Sequence, residues 1–201
     1  MKEITQAMES FSQLARQRRS HRKFTSEPVS GEDLKSILET ALRAPTGHGS
    51  RQWHFVTVTD PDKIAALSEV RDTRSQFLAE APLVIAVLGQ PESQRTWIED
   101  GSVAAVTMQY QAQDLGLGSC WCQIRGRFKN IPTGSDSDIP LAVIASEPAQ
   151  TVSSEQMVRQ ILQIPDSCSV LCLLAIGHPA EPREPLAESE LPWDRVHFEK
   201  Y

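Results

Sequence analysis

Apolar residues recur along the chain with two spacings, and together they predict helices alternating with a few strands. Ile4, Met8, Phe11, Leu14 and Ala15 keep helical spacing, so residues ~3–18 are predicted to form one amphipathic helix. Ser30 with Asp33 suggests a capping box. The helix it opens puts Leu34, Ile37, Leu38, Ala41 and Leu42 on one face and stops at Pro45. Trp53–Thr59 alternates and is rich in Val and Thr, which predicts a strand. Asp60 followed by Pro61 is a helix start, and short helices are expected over 62–70 and 74–80. Leu83–Leu88 is continuously apolar, as a buried strand is. Trp97, Gly101, Ala104, Ala105, Met108, Ala112 and Leu115 return to the 3.6 period, with Gly116 as the stop. A third strand is expected over 119–124. Ser153 and Gln156 repeat the capping signal before a helix over 157–162, and 170–176 is the last buried strand. A proline-rich tail follows Gly177. The pattern is that of an α+β domain, a central sheet flanked by helices.

Composition narrows the function classes. The chain has 201 residues and a formal net charge of −6, enough for one domain without disulfide staples. An acidic balance argues against a nucleic-acid partner. The polar N-terminus lacks the apolar core of a secretory signal, and the longest apolar run is far short of a membrane span. A cytoplasmic protein with no membrane partner is expected. Cys120 with Cys122, and Cys168 with Cys172, are read as core thiols, the second pair sharing a strand face. A zinc-binding module built on the two pairs is the alternative, though neither spacing is typical of zinc. No nucleophile–base arrangement is readable, so no catalytic side chain is assigned.

Three stretches carry candidate chemistry. Arg16, Arg18, Arg19, Arg22 and Lys23 lie within eight positions, with Ser20 among them. Arginine forks match phosphate oxygens and Ser20 adds a short donor. A solvated helix end with cations near its dipole accounts for the same residues. In the loop Ala44–Trp53, Pro45 ends a helix while Gly47 and Gly49 let backbone approach a ligand; an ordinary helix-to-strand connection fits equally. The third stretch is Gly116–Arg125. Its glycines follow a helix and lack a third partner, so they are not a dinucleotide fingerprint.

Taken in order, these pieces resemble the nitroreductase family, whose members carry R-x-S-x-R, A-P-S-x-x-N-x-Q-P-W and L-G-L-G-x-x-W. Here they read Arg18 to Arg22, Ala44 to Trp53 and Leu115 to Trp121. Trp121-Cys122-Gln123-Ile124-Arg125-Gly126-Arg127 and the ending Val196 to Tyr201 resemble a short branch of that family. The resemblance implies a nitroreductase-like fold with a mixed or antiparallel central sheet, an intertwined homodimer, and two FMN molecules at the interface. It further implies that Arg18, Arg19, Ser20, Arg22 and Arg183 hold the FMN phosphate and ribityl chain. Pro45, Thr46 and Gly47 would meet the flavin from the partner subunit, and Trp121, Cys122 and Gln123 would line its ring. Arg125 and Trp53 are candidates to touch substrate. The implied activity is a ping-pong oxidoreductase, with NADH or NADPH as donor and a small electron-poor acceptor such as a nitroaromatic or quinone. A dehalogenating or flavin-degrading member, or a flavin-binding regulator without turnover, are the alternatives. The sequence departs from the family pattern at Gly49, in place of asparagine, and at Arg51-Gln52, in place of Gln-Pro. Arg51 is a candidate to stabilise negative charge on the reduced flavin. The chain is read as one domain over 1–201, with an insertion at 131–152 and a C-terminal arm over 178–201.

Overall fold

The computed structural model describes residues 10–131 and 150–201. The first helix, α1 (Phe11–Gln17), is shorter than expected, because Ser10 is extended and caps it. The Ser10 side chain accepts from the Gln13 N–H, and the Gln13 side chain answers to the Ser10 N–H. A helix running through residue 10 is thereby excluded; its expected residues 3–9 lie outside the described residues. Helix α2 (Gly31–Leu42) starts at Ser30, whose hydroxyl accepts from the Asp33 N–H and donates to the Asp33 carboxylate. The expected strand and helix pair follows as β1 (His54–Val58) and α3 (Pro61–Ser68), with Asp60 capping α3. Residues 76–80 form a 3-10 turn where an α-helix over 74–80 is expected. Then come β2 (Leu83–Gly89), α4 (Trp97–Asp114) and β3 (Gly118–Gln123).

Two short strands were not expected. β4 (Phe128–Ile131) and β5 (Gln150–Ser153) pair antiparallel, bringing together the two ends of the segment read as an insertion. The apolar stretch 141–145 of that segment lies outside the described residues. Helix α5 (Ser154–Leu162) begins at once after β5, earlier than expected, and Ser153 makes no side-chain cap bond. Strand β6 (Ser169–Gly177) completes the main sheet.

The main sheet has the order β1-β2-β6-β3 and is antiparallel throughout; a single parallel bridge joins Ser20 to Ser119. β2 and β6 are buried on both faces, which explains their unbroken apolar runs. On one face Val84, Ala86, Leu88, Val170, Leu173 and Ala175 meet Leu67, Leu78 and Val158. On the other, Ile85, Val87, Leu174 and Ile176 meet Ile37, Ala41, Ala104, Ala105 and Met108 of α2 and α4. The small residues of α4 admit the sheet closely: a Cβ on Gly101 would stand 2.8 Å from Leu171.

A bulge corrects one expectation. The β2–β6 register slips between Val87 and Leu88, so Leu171 is the extra residue on β6. Its carbonyl accepts from the N–H groups of both Ile124 and Arg125. The slip reverses side-chain parity, and Cys168 and Cys172 therefore lie on opposite faces of the sheet. All four cysteines are free and buried.

Candidate functional site

The arginine segment is fixed by its backbone, which leaves its side chains available. Arg18 caps α1 through its N–H to the Leu14 carbonyl. Beyond it the chain lies along β3: Ser20 bridges Ser119, and the His21 N–H donates to the Ser119 carbonyl at 3.0 Å. On its other side the start of the tail runs back. Thr25 N–H donates to the His178 carbonyl and Ala180 N–H to the Lys23 carbonyl. This wedge needs glycine at 118, where a Cβ would come within 2.8 Å of His21 Cβ. It also delivers Arg183, more than 160 positions away, to the segment, and Arg19 donates to the Glu184 carbonyl at 2.8 Å.

Two buried groups register the convergence of charge. Burial lowers the pKa of His21 below 6.5, and Arg183, Arg18 and Arg19 lower it further, with a backbone bond at Glu181 opposing them. Burial raises the Cys120 thiol, while Arg22, the Ser20 hydrogen bond, Arg18 and Arg183 pull it down. Arg18, Arg19, Arg22, Arg183 and Ser20 thus surround one short stretch at the start of β3. Planar cationic donors plus a hydroxyl suit a phosphate monoester, which carries about −1.5 to −2 charges near neutrality.

The second predicted stretch sits elsewhere. Pro45 is exposed, and Thr46 and Gly47 are half-buried against the N-terminal end of α4. Gly47 N–H donates to Asp100 Oδ1 at 2.8 Å, and its carbonyl accepts from Gln94 Nε2 at 3.1 Å. Asp100, buried, also accepts from Gln94 Nε2 and Thr96 Oγ1. A Cβ on Gly47 would stand 2.4 Å from Thr96 Oγ1. His48, Gly49 and Arg51 all have positive φ, and the Arg51 N–H donates to Thr46 Oγ1. Gly49 at φ +67 suits a residue without Cβ. Among the described residues, no hydrogen bond or ion pair joins residues 45–47 to residues 18–22 of the same chain.

Along β3 the side chains alternate. Trp121 and Gln123 share one face, where the indole N–H donates to Gln123 Oε1 at 2.9 Å. Cys122 points the other way into the core, its pKa raised to about 11 by burial. The thiol cannot line a ring lying on the Trp121 face; only the Cys122 backbone is there. Beside Trp121 and Gln123 opens a cavity of about 530 Å³, walled further by Arg22, Arg71, Arg74, Phe77 and Arg127. No sequence motif marks residues 71–77 as part of a pocket. Of the substrate candidates, Trp53 is a buried core residue beside Phe55, which removes it from any open site. Arg125 is exposed, with its guanidinium 6.0 Å from the Trp97 ring.

Among the described residues, no three His, Cys, Asp or Glu side chains gather as a metal site, and no helix is long and apolar enough to cross a membrane.

The chain is similar to an FMN-dependent nitroreductase from Clostridium difficile R20291 at 35% identity and a TM-score of 0.80, over 94% of this chain and 98% of that one. It is 28% identical over 192 residues to an NADH dehydrogenase of Thermus thermophilus, covering 90% of this chain and 92% of the relative. It is 23% identical over 205 residues to an NAD(P)H FMN reductase of Bacillus subtilis, covering 91% of this chain and 71% of the relative. Residues 15–71 and 66–178 match the Nitroreductase family. The α+β architecture, the antiparallel sheet and these matches agree: this chain belongs to the nitroreductase family.

Proposed function

We propose that the protein is a cytoplasmic FMN-dependent oxidoreductase that takes electrons from NADH or NADPH and passes them to a small electron-poor acceptor, a nitroaromatic or a quinone. The observation that carries this reading is the convergence of Arg18, Arg19, Arg22 and Arg183 around Ser20 and the start of β3. In an anionic chain, so local a cationic cluster suits the phosphate of FMN. The similar structure named FMN-dependent supports the same cofactor.

When bound, FMN supplies hydride acceptance at N5 and electron delivery to the acceptor. The chain's own residues bind and orient. The arginines and Ser20 hold the phosphate and ribityl chain, and Trp121, the Cys122 backbone and Gln123 offer a surface beside the ring. The bonds from Trp121 to Gln123 and from Gln123 Nε2 to the Arg125 carbonyl hold that surface in one conformation. No side chain is assigned an acid or base role.

The dimer belongs to the proposal. Pro45, Thr46 and Gly47 complete the site from the partner subunit, a reading supported by the lack of any hydrogen bond or ion pair, among the described residues, between them and the arginine segment of their own chain. Leu42, Val103 and Val106 leave apolar surface exposed on α2 and α4, and Leu191, Trp193, Val196 and Phe198 do so along residues 178–201, read as a C-terminal arm. Such apolar patches suit a subunit interface. The outer edge of β3 beyond Ser119 also has no paired strand among the described residues, an edge that a partner can cover. The single-domain reading of residues 1–201 fits the continuous two-faced core. The cytoplasmic setting rests on four free, buried thiols.

The test is the absorbance spectrum of freshly purified protein with its FMN content and mass in solution. One FMN per chain, a dimeric mass, bleaching by NADH or NADPH without oxygen, and recovery with a nitroarene or quinone are expected. A colourless protein that takes up no FMN would refute the reading.

A further inference from the structure

A buried carboxylate far from the arginine segment holds the loop after Pro45. Asp100 lies in the first turn of α4 and is 6% exposed. Among the described residues, no ion pair engages it. Burying a charge without a counter-ion is costly unless hydrogen bonds take up its lone pairs. Here the Gly47 N–H donates to Oδ1, while Gln94 Nε2 and Thr96 Oγ1 donate to Oδ2. The loop it holds is itself strained. His48, Gly49 and Arg51 stand at φ +56, +67 and +49. Left-handed backbone at residues with a Cβ persists only where the surroundings impose it, and it gathers at sites that grip ligands. A buried anion and a strained loop are more than a helix-to-strand connection requires.

The anchor decides what the loop can show a ligand. Both backbone polar groups of Gly47 are turned inward. Its N–H goes to Asp100, and its carbonyl accepts from Gln94 Nε2 and the Ser50 N–H. The Thr46 carbonyl accepts from the Gly49 N–H. Gly47 therefore offers a ligand no hydrogen bond of its own. Thr46 differs. Its Oγ1 accepts from the Arg51 N–H, and among the described residues its hydroxyl proton has no acceptor. The N–H that Asp100 holds belongs to the Thr46–Gly47 peptide, a planar unit that includes the Thr46 Cα. Fixing that plane fixes the base on which the Thr46 side chain stands.

Resting on the FMN and dimer reading above, we propose that Asp100 is a positioning residue for the flavin of the partner subunit, acting through Gly47 to place the Thr46 hydroxyl as the loop's donor. Asp100 itself touches no flavin. Thr46 supplies the hydrogen bond, and Gly47 supplies the room that lets the anchor close.

The test is a cycle of FMN affinities in the dimeric protein, read by flavin fluorescence for wild type, Asp100→Ala, Thr46→Val and the double variant. Each single change is expected to weaken FMN about tenfold, the upper worth of one hydrogen bond. Because Asp100 acts through Thr46, the double variant should also weaken it about tenfold and not about a hundredfold. Asp100→Asn keeps an oxygen for the Gly47 N–H and should bind FMN within about threefold of wild type. Val158→Ala cuts the core on the other face of the sheet, so it lowers stability without touching the loop and should leave affinity unchanged. If Asp100→Ala does not fold, Asp100→Ser, one atom shorter than the aspartate, takes its place in the cycle. Co-expressing Asp100→Ala chains with Arg18→Ala/Arg22→Ala chains then locates the effect. In the mixed dimer one flavin meets intact arginines and an intact loop, so one tightly held FMN per dimer is expected. Unchanged affinity in Asp100→Ala, an additive double variant, or Asp100→Asn as weak as Asp100→Ala overturns the proposal. So does a Val158→Ala variant that loses as much affinity, or a mixed dimer with no tight site. A wild type that takes up no FMN, or that is a monomer, fails at the earlier reading and is recognised by its spectrum and mass before any variant is made.

Discussion

The arginine segment and the loop at Pro45 are built in opposite ways. In the segment the backbone is committed and, apart from the Arg19 bond to the Glu184 carbonyl, the guanidinium groups are not: Ser20 and His21 pair with Ser119, while the arginines lie at or near the surface. In the loop a buried carboxylate does the holding. Asp100 fixes Gly47 directly and, through Gln94 and Thr96, its surroundings. The segment offers charge on a rigid rail; the loop offers shaped backbone on a buried polar anchor. Mutation should therefore separate them. Changes in the segment should cost ligand affinity with little loss of stability, and changes beneath the loop should cost stability first.

The largest effect is expected at the segment. Arg18→Ala with Arg22→Ala removes two charge-assisted donors, each worth about 1.5–3 kcal/mol. Together they predict a rise in the FMN dissociation constant of roughly 10²- to 10⁴-fold. The melting temperature without FMN should stay within a few degrees of wild type, because neither side chain is buried. Flavin fluorescence titration beside calorimetry reads both quantities. Unchanged affinity would end the phosphate assignment.

Beneath the loop, Asp100→Ala strands the Gly47 N–H and the Thr96 hydroxyl proton, while Gln94 Nε2 keeps the Gly47 carbonyl, Ser50 and Thr96 as partners. Donors left without acceptors in a half-buried site cost up to about 1–3 kcal/mol each, so denaturant unfolding should show a loss of about 2–4 kcal/mol before any FMN is added. Gly47→Ala is a smaller version of the same experiment. Its Cβ falls 2.4 Å from Thr96 Oγ1, and overpacking of that kind costs about 1–3 kcal/mol. Thr96→Ala in the same chain removes the obstructing atom, so the two changes should combine to less than their sum. Full additivity would mean that the loop relaxes away from Thr96 and is not held as described.

The same contrast explains what could be read in the sequence. The arginine cluster was legible because its members lie within a few positions and their chemistry is explicit. The long helices and buried strands are legible because α4 keeps one spacing over many residues and β2 and β6 are unbroken apolar runs. The anchor of the loop was not legible. Asp100 lies 53 positions from Gly47, in a helix whose apolar stripe gives no reason to single out one carboxylate. The shared face expected for Cys168 and Cys172 fails because a bulge leaves no mark in an apolar run. β4 and β5 are four residues each, too short for a period to develop. Arg71, Arg74 and Arg127 meet only through the turn at 71–76 and the turn after β3. Arg127 stands in the family-like stretch Trp121–Arg127, but nothing in the sequence ties it to the other two.

The smallest effect expected tests whether the segment's charge reaches into the core. His21 is buried beside Arg18, Arg19 and Arg183, and its folded pKa lies below the ordinary 6.5. As pH falls through 6.5 the unfolded chain takes up a proton that the folded chain resists. The unfolded state then binds more protons, so stability decreases as pH falls from about 6.5 toward the folded pKa. Above 6.5 both forms are neutral and this contribution to the slope vanishes. Wild type without FMN should therefore lose more stability between pH 7.5 and 5.5 than a His21→Gln variant, a comparison in which the carboxylates common to both chains cancel. A dianionic phosphate held by the same arginines would offset their charge and raise the His21 pKa, so FMN should shrink the difference. An imidazole titration followed by NMR with and without FMN reads that shift directly. A His21 pKa that FMN leaves in place would put the phosphate somewhere other than this cluster, whatever the arginine variants do to affinity.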